Sequence, residues 1–128
     1  SWLNSKKITT TNTKVLENCK MCAFKPMFSH PVWRRSWPKM QIMNKNSIAY
    51  RMALVSSGIF DTMMALNRKS DWDVAAGDLL ITEAGGKVTD HKGNQLIYNL
   101  KDTSKKSIIG SCMGLHDIII KRVKELDL

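Results

Sequence analysis

The chain has 128 residues, 43% of them hydrophobic, which suits one domain with one core and excludes a disordered protein. No hydrophobic run approaches the roughly 20 residues that span a bilayer, so we expect neither a membrane segment nor a secretory signal. Lys and Arg exceed Asp and Glu by nine, which indicates a polyanionic partner, a basic surface, or one half of a protein whose other half is acidic.

The N-terminal part predicts two strands and carries two of the three cysteines. Residues 6–13 are rich in threonine and residues 19–24 are mostly apolar, so each predicts a short strand. Cys19 and Cys22 have the spacing of a zinc-binding pair, but a structural zinc site needs about four such ligands. Only Cys112 and three scattered histidines remain, so we favour buried thiols in a reducing, cytoplasmic setting.

Residues 25–39 predict an irregular connection, because three prolines in this segment break both helix and central strand. Its aromatic and basic side chains allow two interpretations. Trp33, Arg34, Arg35 and Trp37 resemble a platform on which single-stranded nucleic acid stacks. Alternatively, the two tryptophans attach the loop to the core or to a subunit interface, and we favour this interpretation because no second such segment extends the platform.

The middle of the chain predicts strand, helix, strand and helix in succession. Residues 40–44 form a strand, and Asn46-Ser47 cap a helix from Ile48 to Ser57 that Gly58 ends. Residues 60–66 form a buried strand, and a polar, basic turn leads into the second helix. That helix ends at Gly85-Gly86 and places four apolar residues at helical spacing: Val74, Leu80, Ile81 and Ala84. This order predicts an α/β layered fold in one domain over residues 1–128.

The C-terminal part completes this pattern with two strands and a helix. Residues 87–90 and 107–112 predict strands, and residues 95–106 predict a loop with exposed Lys101, Lys105 and Lys106. Residues 115–126 predict an amphipathic helix whose inward face carries five apolar residues: Leu115, Ile118, Ile119, Val123 and Leu126.

The candidate chemistry lies at the start of the second helix. The chain lacks a Gly-rich phosphate loop, a Gly-x-Ser-x-Gly elbow and a recognisable Cys/His pair. Asp71 and Asp73 flank Trp72 at a helix start that follows the buried strand and its basic turn, where α/β sheets bind ligands. Asp73 could cap the helix or bind a hard cation such as Mg²⁺. One carboxylate does not make a site, and Asp61, Asp71 and Asp78 are the nearby candidates for further ligands.

A long motif in this region resembles a known family. Trp-Asp-Val-Ala-Ala-Gly at residues 72–77 is followed by Glu-Ala-Gly-Gly-Lys-Val-Thr-Asp at 83–90 and by Gly93. This closely resembles the C-terminal signature of the inositol monophosphatase family of Mg²⁺-dependent, lithium-sensitive phosphatases. The resemblance continues upstream through residues 54–61, covers residues 40–112 well and is loose over residues 1–39.

The resemblance implies a fold, a cofactor and an incomplete active site. The chain would be the layered α/β C-terminal portion of the inositol monophosphatase fold, with Asp73 as a Mg²⁺ ligand. The other acids and the residues that activate water would belong to an acidic N-terminal half, since Asp-Pro and Asp-Gly-Thr do not occur in this sequence. This portion therefore carries no catalytic residue and would not be active alone. The family is also commonly dimeric.

The substrate is left open between two classes of phosphate ester. By position, Asn46, Ser47 and Ile48 correspond to the family's substrate-contacting segment at a helix start. The Glu that holds inositol hydroxyls in inositol phosphatases corresponds to Ala65, or to Asn67 given a one-residue length difference, and this departure weakens the case for inositol. Arg68 and Lys69 could bind a second phosphate. The alternatives are therefore an inositol monophosphatase and a bacterial 3′(2′),5′-bisphosphate nucleotidase of the same family.

Overall fold

The computed structural model describes residues 2–3, 6–45, 47–67, 69–98 and 104–128, and leaves the side chains of residues 2, 3, 6, 70–73 and 104 undescribed. Within these ranges the chain forms nine strands: β1 (Trp2–Leu3), β2 (Lys6–Lys7), β3 (Lys20–Cys22), β4 (Gln41–Met43), β5 (Thr62–Ala65), β6 (Lys69–Ser70), β7 (Lys87–Thr89), β8 (Ser104–Lys105) and β9 (Ile108–Ser111). Three α-helices accompany them: α1 (Ile48–Ser56), α2 (Asp71–Glu83) and α3 (Met113–Val123).

A mixed five-stranded sheet forms the centre, in the order β4-β3-β5-β9-β7. Strand β3 is parallel to β4 and β5, with Met21 opposite Ile42 and Thr62. Strand β9 is antiparallel to β5 and β7. Two further pairs, β1-β2 and β6-β8, are antiparallel two-stranded ribbons. The predicted α/β class is confirmed.

The sheet separates two hydrophobic layers because successive side chains of a strand point to opposite faces. Met63 packs with residues of α1 and α2, whereas Met64 packs with residues of α3. Ile108 and Ile109 of β9 divide in the same way. Both layers are therefore filled by alternate residues of the same short strands.

The two helices of the first layer pack closely because α2 carries a glycine at their contact. A Cβ atom at Gly77 would lie 2.6 Å from the Met52 sulfur and 2.7 Å from the Met52 Cβ. Helix α1 is capped by Ser47, whose hydroxyl accepts the Tyr50 N–H at 3.3 Å. It ends before Gly58, whose φ of +79° is costly for other residues.

Most predicted elements are confirmed, and three details are wrong. Residues 8–13 do not form a strand; this segment runs beside the end of α2, where the Thr10 N–H donates to the Ala84 carbonyl at 3.0 Å. Leu80 is exposed rather than buried. Lys105 is buried, because its chain segment pairs with β6 and its ammonium lies 5.0 Å from the centre of the Tyr98 ring.

Within the described ranges, no helix is long and apolar enough to cross a membrane. The irregular connection at residues 25–39 contains a short 3₁₀ helix, Lys25–Ser29, and then runs to β4. It covers the sheet face on which α3 packs, since Met27, Phe28, Trp33 and Trp37 contact that layer.

Candidate functional site

Three strand ends and two helix starts meet at one edge of the sheet. Because β3, β4 and β5 are parallel, their carboxyl ends lie on the same edge. Helix α1 begins five residues after β4 ends, and α2 begins directly after β6. Helix N-termini present unpaired N–H groups and a positive dipole end, so this edge is suited to an anionic ligand.

An open cleft of about 1250 Å³ lies at this edge. Its lining includes residues that follow the three strands: Phe24, Asn44, Leu66 and Asn67. Six basic and two acidic side chains also line it: Arg34, Arg35, Arg51, Lys69, Lys121, Arg122, Glu125 and Asp127. The excess of cations makes the cleft attractive to phosphate esters.

Arg51 is the buried cation of the cleft. Its residue is only 9% exposed, and its Nε and Nη2 donate to the Lys45 carbonyl at 2.6 Å and to Asn44 Oδ1 at 2.8 Å. Among the described side chains, no carboxylate lies within ion-pair distance of it. A buried guanidinium needs a compensating charge, and among the described side chains of this cleft none supplies it at ion-pair distance.

The predicted substrate residues have different outcomes. Ser47 is exposed at the start of α1, where its oxygen accepts the capping hydrogen bond and its O–H remains available to a ligand. Ile48 is buried in the core, so only its backbone could contact substrate. Asn46 and Arg68 lie outside the described residues. Ala65 and Lys69 line the cleft.

The predicted metal ligand lies in the first turn of α2. Asp71 is the first residue of this helix and Asp73 its third, so both lie inside it rather than at the residue that precedes it. Their side chains are not among those that the structure describes, so the assignment of Asp73 as a Mg²⁺ ligand stays a prediction. A carboxylate in a first helical turn is favoured by the helix dipole.

The other candidate acids point elsewhere. Asp61 precedes β5, at the opposite end of that strand, and accepts hydrogen bonds from Thr13 Oγ1 at 2.8 Å and the Lys20 N–H at 2.7 Å. Asp78 accepts from the Tyr98 hydroxyl at 2.7 Å and from Thr82 Oγ1 at 3.1 Å. Both carboxylates thus have structural partners within this chain, and the suggestion that they complete a metal site with Asp73 stays a prediction.

The cysteines form no metal site in the described part of the chain, where no group of three potential ligands could hold an ion. Cys19, Cys22 and Cys112 are buried free thiols. Burial, with smaller contributions from Asp61 and Cys112, raises the pKa of Cys19 to about 12. A thiol is a poor ligand until it loses its proton, so these residues act as core side chains.

The aromatic loop is attached to the core, as the favoured interpretation predicts. The Trp37 ring contacts Phe28 and Trp33 edge to face, at centroid distances of 5.0 and 5.2 Å. Trp33 Nε1 donates to the Met27 carbonyl at 2.7 Å. The two tryptophans therefore contact each other and the α3 layer, and Trp33 also lines the cleft.

Sequence reasoning did not identify Arg51, Lys121 or Arg122 as site residues. The sequence does contain a signal for Arg51, because this residue follows Ser47 by one helical turn and is next to Met52, which lies on the predicted inward face. Lys121 and Arg122 belong to α3, and only the tertiary structure brings them to the loop at residues 30–35.

Comparison with known proteins decides the family. A model of the inositol monophosphatase family matches residues 4–127. The chain belongs to the inositol monophosphatase family.

Relatives in this family have different named activities. The chain is 39% identical over 75 residues to an inositol-1-monophosphatase of Caulobacter vibrioides, covering 57% of this chain and 27% of that protein. It is 34% identical over 79 residues to a 3′(2′),5′-bisphosphate nucleotidase of Emericella nidulans, covering 56% and 22%. It is 28% identical over 131 residues to a fructose-1,6-bisphosphatase/inositol-1-monophosphatase of Thermotoga maritima, covering 98% and 48%.

Solved structures of the family share the fold. The Thermotoga maritima IMPase superimposes with a TM-score of 0.78 at 28% identity, over 97% of this chain and 47% of the other. The extragenic suppressor protein suhB of Bartonella henselae gives 0.77 at 25% identity, over 97% and 50%. The chain thus spans about half the length of these inositol monophosphatase relatives, or less.

Proposed function

We propose that this chain is part of a Mg²⁺-dependent phosphomonoesterase that hydrolyses inositol monophosphate or a similar small phosphate ester. The observation that carries the proposal is the sheet edge, where the buried Arg51 of α1, which has no carboxylate partner among the described side chains, lines one cleft with Lys69, two residues before α2. Family membership supports this interpretation, because relatives named as phosphatases share the fold.

In this proposal Asp73 holds a Mg²⁺ ion together with acids from outside this chain. A carboxylate is the oxygen ligand that Mg²⁺ prefers, and the bound metal would neutralise phosphate charge and lower the pKa of the attacking water. One carboxylate is too few for a site, and the described part of the chain offers no cluster of three ligands. We therefore place the remaining ligands and the catalytic residues in a further, N-terminal half.

The other residues of the edge bind and orient the ester. Backbone N–H groups of the first turn of α1 and the Arg51 guanidinium would hold the phosphate. The two hydrogen bonds from Arg51 to residues 44 and 45 also fix the segment that precedes α1. The Ser47 hydroxyl is exposed beside them and can donate to a phosphate or hydroxyl oxygen.

The outer face of α2 supports the further half. On a globular surface we expect polar residues there, yet Ala75, Ala76 and Leu79 are exposed on this helix. Leu79 is 59% exposed and Ile97 is 61% exposed. Docking of an acidic half on this face would cover these residues, bring acids towards Asp73 and offset the charge of +9. The homodimer expected from the resemblance is also part of the proposal and is testable by sedimentation of the full-length protein.

A 3′(2′),5′-bisphosphate nucleotidase is the second candidate. Ala65 lines the cleft where inositol phosphatases were expected to place a Glu, so no carboxylate from that position can hold inositol hydroxyls. Turnover of inositol 1-phosphate and of adenosine 3′,5′-bisphosphate by the full-length protein at equal Mg²⁺ decides between the two. A clear preference for the inositol ester excludes the nucleotidase.

The metal assignment is tested by Asp73→Asn in the full-length protein. We expect activity to fall by at least about 100-fold at unchanged thermal stability, since the substitution removes the charge that holds the cation. Asp71→Asn is the matched control, two residues away in the same helical turn, and should keep most of the activity. Near-normal turnover of Asp73→Asn at saturating Mg²⁺ would show that this residue is not a metal ligand.

A further inference from the structure

The cleft has a second set of basic residues that the proposed function does not use. The sheet edge contributes Asn44, Arg51, Asn67 and Lys69. Arg34 and Arg35 of the aromatic loop and Lys121 and Arg122 of α3 form another wall, which we call the cationic wall. Apolar side chains also line the cleft: Phe24, Met27, Val32, Trp33, Leu66 and Leu126.

The cationic wall is positioned by contacts of its own. The Arg122 guanidinium lies 5.1 Å from the centre of the Trp37 ring, and its Nη1 donates to the Ser36 carbonyl at 3.1 Å. Arg34 Nη1 lies 3.0 Å from Glu125 Oε2. These contacts tie the loop to α3, so the basic groups of both segments are brought to one surface.

Positive charge on this wall is only partly compensated. Arg34 has Glu125 as its counter-ion, whereas no carboxylate of the described residues lies within ion-pair distance of Arg35, Lys121 or Arg122. Burial and the nearby Arg35 charge both lower the pKa of Arg122. Like charges held together in this way repel each other, and an anion bound between them would remove the repulsion.

We propose that the cationic wall binds a second anionic group of the substrate. The ligand class is a phosphate ester that carries another phosphate or carboxylate, with a planar or apolar body against Met27, Val32 and Trp33. Arg35 and Arg122 are then specificity-determining residues that favour such esters over singly phosphorylated polyols. Placing the scissile phosphate at the sheet edge rests on the proposed function, whereas anion binding by the cationic wall does not.

The test compares two esters that differ only in the second phosphate, adenosine 3′,5′-bisphosphate and adenosine 3′-monophosphate. In the full-length protein with Mg²⁺, Arg35→Ala should raise KM for the bisphosphate about tenfold, the effect of one charge-assisted hydrogen bond. KM for the monophosphate should stay within about twofold. Lys39→Ala is the matched control, because Lys39 is an exposed cation of the same connection that does not line the cleft.

Arg35→Glu is a stronger test than Arg35→Ala, since charge reversal should abolish the preference for the bisphosphate. Equal changes for both esters, or a preference that survives Arg35→Glu, would overturn the proposal. If the full-length protein hydrolyses neither of these esters nor inositol 1-phosphate, the proposed function fails, and calorimetric binding of the two nucleotides then tests the cationic wall separately. The proposal for the cationic wall is supported if the bisphosphate binds more tightly than the monophosphate and Arg35→Glu abolishes this difference. It is excluded if neither nucleotide binds, or if Arg35→Glu leaves binding unchanged.

Discussion

Two buried histidines show how single residues are matched to their surroundings. His91 Nε2 lies 2.9 Å from the Leu126 carbonyl, which can only accept, so this nitrogen carries the proton. Its Nδ1 forms a hydrogen bond with the Ser107 hydroxyl at 2.7 Å. The ring thus ties the C-terminal segment to the loop before β9.

His116 is less completely satisfied and is the more sensitive of the two. Thr89 Oγ1 donates to the Asp90 carbonyl, so it accepts from His116 Nε2 at 2.9 Å. The buried Nδ1 has no hydrogen-bond partner, and Asp117 Oδ1 lies 3.8 Å from it. Burial, followed by the Lys87 charge, lowers the pKa of His116, so the native protein keeps this ring neutral.

We therefore predict that stability decreases as pH falls below 6.5, the ordinary value for the unfolded chain. There the unfolded state binds a proton that the native state resists, so the free energy of unfolding drops with a slope of at most about 1.4 kcal/mol per pH unit for this one group. Urea denaturation at pH 8, 6.5 and 5 measures it. His116→Gln should flatten the profile between pH 6.5 and 5, and an unchanged profile would contradict the role of this histidine.

At the scale of elements, the contact between α1 and α2 depends on Gly77. Valine at this position would place atoms against both the sulfur and the Cβ of Met52, and the latter cannot move without the α1 backbone. We expect Gly77→Val to lower the free energy of unfolding by about 2 kcal/mol or more, since overpacking typically costs about 1–3 kcal/mol.

Ala76→Val is the control for this measurement on the 128-residue chain alone, where Ala76 is exposed one residue earlier in the same helix. Ala76→Val pays the helix-propensity cost of valine, at most about 0.7 kcal/mol, whereas Gly77→Val gains slightly, because glycine is about 1 kcal/mol worse than alanine in a helix. Chemical denaturation of the two proteins separates packing from propensity. Equal losses would show that α1 can move away from α2 at little cost.

Local patterns predict elements well where each element buries its own side chains. The 48–57 helix shows this, because Ile48, Met52 and Val55 follow helical spacing and Ser47 supplies its cap. The pattern fails where distant segments decide. Threonine-rich residues 8–13 are extended yet hydrogen-bond to the end of α2 instead of a strand. Lys105 is buried only because its segment pairs with β6 and its side chain packs on Tyr98.

The candidate site, like the fold, was predictable only where it depends on neighbouring residues in the sequence. The motif around Asp73 and the capping Ser47 are local in sequence, whereas the burial of Arg51 in the cleft becomes visible only once its neighbours are known. The cationic wall joins residues 34–35 to residues 121–122, which are more than 80 positions apart. No spacing rule connects such segments, because the sheet topology alone brings them together.

At the scale of the whole molecule, a lysine substitution can show whether α2 is exposed to solvent or covered by a further half of the protein. Leu79 on α2 and Val15 in the N-terminal segment are 59% and 63% exposed here, so on the chain alone a lysine is tolerable at either position. They differ in the proposed full-length protein. There the outer face of α2 lies in an interface between halves, while nothing in the proposal covers Val15.

We predict that Leu79→Lys lowers the free energy of unfolding of the full-length protein by about 2 kcal/mol or more. It would remove a buried leucine, about 1.5–3 kcal/mol, and place an ammonium in an apolar contact. Val15→Lys should change stability by less than about 0.5 kcal/mol. Denaturation of both variants checks this, and activity should fall in Leu79→Lys alone because docking also positions the acids opposite Asp73. If the two lysines prove equally harmless, α2 faces solvent and the remaining metal ligands must approach Asp73 from another side.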